Sequence, residues 1–154
     1  MKGDRQITDL LNQLLKSKLT SINQYFLHAR IHDNWGLYEM GEKQYRASIR
    51  DMKHADKLIE RLLFLETLPN LQDLDKLLIG ENTEEILKND LLMEQSCRKL
   101  LAQGIEICES GGDFVSRELL ESLLEESESF IDWLETQLDL IPKVGLENYL
   151  QSMM

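Results

Sequence analysis

A chain of 154 residues with a formal net charge of −11 is long enough for one domain that buries more than about two-thirds of its unfolded surface without disulfide staples. The acidic excess argues against nucleic-acid binding, because neutralising phosphates needs clustered Lys and Arg. No run approaches the roughly 18 apolar residues of a membrane span, and Met1-Lys2-Gly3-Asp4-Arg5 lacks the apolar core of a secretory leader, so a cytoplasmic protein without membrane contact is expected.

Only Pro69 and Pro142 punctuate the chain and glycine is sparse, which predicts long helices rather than strands. The first segment, about Asp4 to His32, places Ile7, Leu11, Leu14, Leu15, Ile22, Tyr25, Phe26 and Ala29 on one face, with Asp4 as its N-cap. The second, about Leu37 to Leu65, carries two apolar stripes, one of Ala47, Leu58, Leu62 and Leu65 and one of Ile49, Met52, Ile59 and Leu63. Two stripes imply two covered faces. The third starts after Asn82, a cap with Glu85 at its third position, and ends at Gly111-Gly112; the fourth opens at Asp113 and is expected to stop before Pro142. Leu146 to Met153 forms a fifth segment too short to hold alone, so it must dock. Cys97 and Cys108 lie eleven residues apart on one face of the third segment. That is too far along the axis for a mutual disulfide, and they read as buried thiols of a reducing compartment.

Acid is concentrated in the fourth segment, where Glu118, Glu121, Glu125, Glu126, Glu128, Asp132, Glu135 and Asp139 stand against the single base Arg117. A solvated face accounts for this; attraction of cations by a lumen or pore is the sharper reading. The connection from Glu66 to Glu81 decides the topology. It can reach roughly 50 Å when extended, against about 42 Å for a helix of some 28 residues, so it can cross the bundle and let the third helix run parallel to the second. The expected fold is all-α, a single domain over residues 1–154: a ferritin-like four-helix bundle with one long crossover and a short fifth C-terminal helix.

Bundles that hold two metals take one glutamate from each of two helices and a Glu-x-x-His from each of the other two, since that spacing points both donors inward from one turn. The corresponding inward positions here read Lys18, Asp51, His54, Glu94, Ser127 and Phe130. Asp51, His54 and Glu94 are competent donors, but Lys18 is a cation, Ser127 a poor ligand and Phe130 none. Two divalent ions cannot be held by that set, and Lys18 is expected to replace metal charge by pairing with Asp51 or Glu94. His28 and His32 have i, i+4 spacing but no third donor, and read as packing or surface histidines.

The chain resembles bacterioferritin from end to end. The resemblance is carried by Met1 to Asp4, Ile22 to Arg30, Asn34 to Leu37, Met52 to Asp56, Leu68 to Leu74, Ile131 to Thr136 and Asn148 to Gln151. It implies a hollow shell of twenty-four subunits storing ferric mineral, with Leu146 to Met153 as the helix around the fourfold axes. It also implies that Met52 is the axial ligand of a b-type haem shared by two chains, in a pocket of Leu19, Ile22, Asn23, Phe26, Tyr45, Ile49, Lys53 and Ile59. Asn34, Glu66, Asp132, Thr136 and Asp139 resemble polar residues of the family's inter-subunit channels. Against the family pattern, Arg46 and Arg50 stand where an inner-surface iron site falls, and Leu58 where members can carry a tyrosine.

These readings together give a haem-binding storage subunit without a functional ferroxidase centre, assembling alone or with a ferroxidase-competent sister chain and serving an electron-transfer partner. The alternative is an oxidase retaining one metal at Asp51, His54 and Glu94. A third reading has the haem pass electrons inward to release stored iron.

Overall fold

The computed structural model describes residues 1–154. Helices α1 (Arg5–Asn34), α2 (Tyr38–Phe64), α3 (Thr83–Ser110) and α4 (Phe114–Val144) form the bundle, and α5 (Leu146–Ser152) follows. Side-chain caps start three of them: Asp4 accepts from the Gln6 amide at 2.8 Å, Asn82 from Glu85 at 2.9 Å and Asp113 from Ser116 at 3.0 Å, each satisfying a donor that the first helical turn leaves free. Gly36 and Gly112 take φ of 79° and 72°, a left-handed conformation that lets the α1–α2 and α3–α4 turns be tight.

The crossover between α2 and α3 has no secondary structure of its own, and α1 holds it. Asn12, Lys16, Thr20, Gln24 and His28 stand at four-residue steps along one edge of α1. Asn12 bonds Leu68 and Asn70, Lys16 and Thr20 meet Asp75, Gln24 accepts from the Leu78 amide, and His28 accepts from Gly80. Loop numbers rise as α1 numbers rise, so the loop travels from the start of α1 toward its end. Its starting point is fixed by the Gly3 amide on the Leu65 carbonyl at 3.1 Å, and α3 therefore runs parallel to α2, as the length of the connection predicts.

One expectation fails. The fourth helix does not stop before Pro142 but continues through it to Val144. Pro142 is exposed and sits in the last turn, so its missing N–H removes one bond where the ladder is already ending. Gly145, with φ of 87°, makes the actual reversal. The fifth helix docks through the Tyr149 hydroxyl on Gln137 at 2.8 Å, and the Glu39 amide reaches the Met153 carbonyl at 3.0 Å.

Burial divides the interior into two apolar halves. Leu11, Leu14, Leu58, Leu62, Cys97, Leu101, Cys108 and Leu120 fill one, and Tyr25, Met40, Ala47, Leu87, Phe130, Leu134 and Tyr149 the other. Each fully buried Leu stabilises by about 1.5–3 kcal/mol. In the first half Gly104 lets α3 approach closely, since a Cβ there would lie 2.6 Å from Leu10 and 2.8 Å from Leu120. Both cysteines are buried and free. Between the halves lies a layer of buried polar groups.

Candidate functional site

The six inward positions read from the sequence are all buried, Lys18, Asp51, His54, Glu94 and Ser127 as polar groups of that layer and Phe130 in the second apolar half. Lys18, on α1, has no exposed surface and sets its Nζ 3.3 Å from Asp51 Oδ1. Ser21, three residues on, donates to the other Asp51 oxygen at 2.5 Å. Glu94 is not a partner of Lys18. It accepts from the Tyr25 hydroxyl at 2.6 Å and from Arg50 Nη2 at 2.9 Å.

Arg50 is the residue that the sequence reading misplaced. Expected at an inner surface with Arg46, it turns into the bundle, donates to Asp51 through Nε and Nη2 at 2.9 and 2.7 Å, and lays its guanidinium over the Phe130 ring at 4.9 Å. Its position at the edge of the core stripe permits either direction. Two adjacent buried carboxylates and an aromatic face decide it. Arg46 is exposed and pairs with Glu42 at 2.6 Å. Leu58 is fully buried and offers no hydroxyl.

The layer is electrically closed. Burial alone lowers the Lys18 pKa, but Asp51, then Cys97 and Glu94, more than offset this and hold it above its ordinary value. Burial likewise raises Asp51, yet Lys18, Arg50 and the Ser21 hydroxyl keep its carboxyl below the usual range. Arg50 is raised despite its burial, by Asp51 and Glu94. Tyr25 is pushed well up by burial and by Glu94, so it stays a hydroxyl donor. Two cations thus face two carboxylates. His54 is lowered to about 4 by burial and by the Lys18 charge, with contact to Glu126 acting in opposition. Its Nε2 meets the Glu126 carboxylate, a partner absent from the sequence reading, while its Nδ1, 3.5 Å from Asp51 Oδ1, makes no hydrogen bond. The Ser127 hydroxyl has no partner either.

This donor set does not fit a pair of metal ions. No three His, Cys, Asp or Glu side chains converge as a metal group, and the carboxylates that could ligate are engaged by fixed cations. Unit charges of like sign 4 Å apart repel by about 4 kcal/mol at an effective dielectric of roughly 20, so a divalent ion set beside Lys18 and Arg50 is strongly opposed.

A second feature lies outside the bundle. Met52 is 53% exposed in a groove of about 400 Å³ with Leu19, Ile22, Asn23, Ile59, Leu71 and Leu74. The second stripe of α2 is thus uncovered in the single chain, with Leu63 exposed beside it. Four of the expected haem-pocket residues, Leu19, Ile22, Asn23 and Ile59, join Met52 there. Tyr45, Ile49 and Lys53 line an adjoining cleft that shares Asp56 with this groove, and Phe26 packs on Tyr45 with ring centroids 6.3 Å apart. The groove fits a haem: it is apolar, and it carries a thioether, a competent axial donor. The expected channel residues Asn34, Glu66, Asp132, Thr136 and Asp139 are all exposed.

His28 and His32 are not surface residues. Both are fully buried and serve a hydrogen-bond network. Asp90 accepts from His28 Nδ1 at 2.7 Å, Gln44 at 2.9 Å and Gln24 at 3.0 Å, and His32 bridges Gln44 and Thr83.

A family model described as the ferritin-like domain matches residues 8–144. Over 149 residues, 97% of this chain, it is 44% identical to the bacterioferritin of Brucella melitensis, of which it covers 92%. It is equally similar, 44% over 149 residues with the same coverage of both proteins, to the bacterioferritin of Rhodobacter capsulatus. To that of Mycobacterium bovis it is 42% identical over 149 residues, 97% of this chain and 94% of the relative. With the bundle, the crossover and the docked fifth helix in place, these matches show that the chain belongs to the bacterioferritin family of ferritin-like proteins.

Proposed function

We propose that this chain is a haem-binding subunit of an iron-storage shell in the cytoplasm, and that it leaves iron oxidation to a sister chain. The observation that carries the reading is the buried neutral cluster of Lys18, Arg50, Asp51 and Glu94, which stands where a two-metal centre would need only acids and imidazoles. The kinship with bacterioferritins supports storage and assembly into a shell of twenty-four subunits. The exposed Met52 groove supports a haem held between two chains, each giving one thioether to the iron and the apolar walls of Leu19, Ile22 and Ile59 to the ring. Bound there, haem supplies one-electron chemistry. The chain's own residues exclude water around it and fix its position.

Haem titration of the purified assembly tests this. We expect one haem per two chains in the parent, and loss of the bis-thioether spectrum with at least about tenfold weaker binding for Met52→Ala, since the ligand is removed outright. Undiminished haem uptake by Met52→Ala would refute the assignment of the ligand.

A further inference from the structure

Three carboxylates are fully buried in the bundle. Asp51 and Glu94 meet fixed cations, but Asp90, on α3, meets none. One of its oxygens accepts from Gln24 at 3.0 Å and from His28 Nδ1 at 2.7 Å, and the other from Gln44 at 2.9 Å. Around His28 stand Asp90 from α3, Tyr25 and His32 one turn away on either side along α1, the neutral Gln44 amide of α2 by way of Asp90, and the Gly80 amide of the crossover. On α4, Asp132 and Glu135 are exposed.

The proton positions on both histidine rings follow from their partners. A backbone amide can only donate, and that of Gly80 lies 3.1 Å from His28 Nε2. Nε2 therefore carries no proton, and the ring is neutral with its hydrogen on Nδ1, aimed at Asp90. His32 has a different outer partner. Gln44 donates its amide to Asp90, so its oxygen accepts from His32 Nδ1 at 2.6 Å, and His32 Nε2 accepts from the Thr83 hydroxyl at 3.0 Å. A hydroxyl can turn and accept instead. A second ring proton is thus tolerated beside Thr83 but not beside Gly80.

We propose that His28 is an acid-operated latch on the end of the crossover: on taking a proton at Nε2 it turns from acceptor to donor and lets go of Gly80. The proton comes from solvent as the pH falls and returns to it as the pH rises. On its other side the charged ring gains, because the Nδ1–H bond to Asp90 becomes one between ions, which keeps α1 tied to α3 while the loop opens. Left in place, Gly80 would be a buried donor without an acceptor, a state that opening to water relieves. Gly80 is pressed on the start of α3, where a Cβ would meet the Ile86 amide nitrogen at 2.5 Å and Ile86 Cγ1 at 2.7 Å. Lifting it uncovers Ile86, which has no exposed surface. The Leu78 amide on Gln24 at 2.8 Å and the Asn82 cap of α3 bound the opening on either side. None of these residues lines the Met52 groove or joins the Lys18 cluster, so the latch stands apart from both.

Hydrogen–deuterium exchange of the purified assembly, read at residue resolution by mass spectrometry between about pH 8 and 5, the range in which histidines change charge, tests the latch. After division by the intrinsic rate at each pH, protection of the Gly80 amide should fall at least about tenfold toward the acid end, as the loss of one buried hydrogen bond implies. The Asp75 amide, held by the Thr20 hydroxyl at 2.8 Å, should keep its protection. His28→Gln puts a group that does not titrate at the latch, and its Gly80 protection should not vary with pH, whatever its level. His32→Gln keeps the latch and should retain the parent's acid response. If His28→Gln fails to assemble, the parent alone decides: pH-independent protection at Gly80, or an acid loss equally large at Asp75 and along the helices, overturns the proposal. An acid response at Gly80 that survives in His28→Gln overturns it as well.

Discussion

Asp51 accepts hydrogen bonds from three side chains, Lys18, Ser21 and Arg50, and this redundancy shapes what substitution does. Lys18→Met keeps the stem volume and leaves Asp51 with Arg50 and Ser21, so it should cost about 1–3 kcal/mol. Arg50→Met should cost a similar amount, again about 1–3 kcal/mol. Together they strand a buried carboxylate without a cation, and the double variant should exceed the sum of the singles by about 0.5–3 kcal/mol. Denaturation midpoints of the four proteins check this; strict additivity would mean that the two cations act independently. Lys18 was legible because a charged residue interrupts an apolar stripe. Arg50 was not, because a residue at a stripe's edge can turn either way and only the neighbours it meets decide.

His54 makes a separate prediction about acid. Lys18, raised, contributes fully below 10.5 and loses its contribution only above that; Asp51, lowered, contributes above 3.8 and loses it only as pH falls further. Neither titrates between those limits. His54 does: its folded pKa of about 4 lies below the ordinary 6.5 of histidine, so on acidification the unfolded chain takes the proton first. Stability should therefore fall as pH drops from 6.5 toward 4 and cease falling on this account below that. His32, also lowered by burial, adds to the same slope. His54→Gln should flatten part of it and leave the part due to His32, as thermal midpoints measured across this window would reveal. An unaltered slope would place the acid sensitivity elsewhere.

At the scale of elements, the crossover is the least conventional part of the fold: an extended segment kept in place by side chains. Its length was legible as a distance it had to span, but its path was not, since the five anchors on α1 are polar residues that a periodicity reading assigns to solvent. Gln24 is the central one, accepting from Leu78 at 2.8 Å and donating to Asp90 at 3.0 Å. Gln24→Leu leaves a buried amide and a carboxylate oxygen short of a partner, at a cost of about 2–4 kcal/mol, and should release the loop before the bundle melts. Limited proteolysis should then cut between Leu68 and Gly80 faster than in the parent. An unchanged cleavage pattern would show that the apolar contacts of the loop suffice. The overrun of α4 through Pro142 is the opposite case, in which a local breaker loses to a helix already packed along its whole length.

For the molecule as a whole, the bundle order, the caps and the docking of the fifth helix follow from spacing and punctuation, and the structure agrees with them. What periodicity does not specify is which apolar face remains open. Met52, Phe26, Leu71 and Leu74 are 45–56% exposed on the single chain, and an exposed apolar surface of this kind marks a surface to be covered. The central claim is that Lys18 and Arg50 have replaced metal charge in the bundle. Stopped-flow oxidation of Fe(II) by O₂ in the purified assembly of this chain alone, with two Fe(II) added per subunit, tests it most directly. The account predicts no rapid phase above the uncatalysed rate; a rapid phase that consumes two irons per subunit would contradict it.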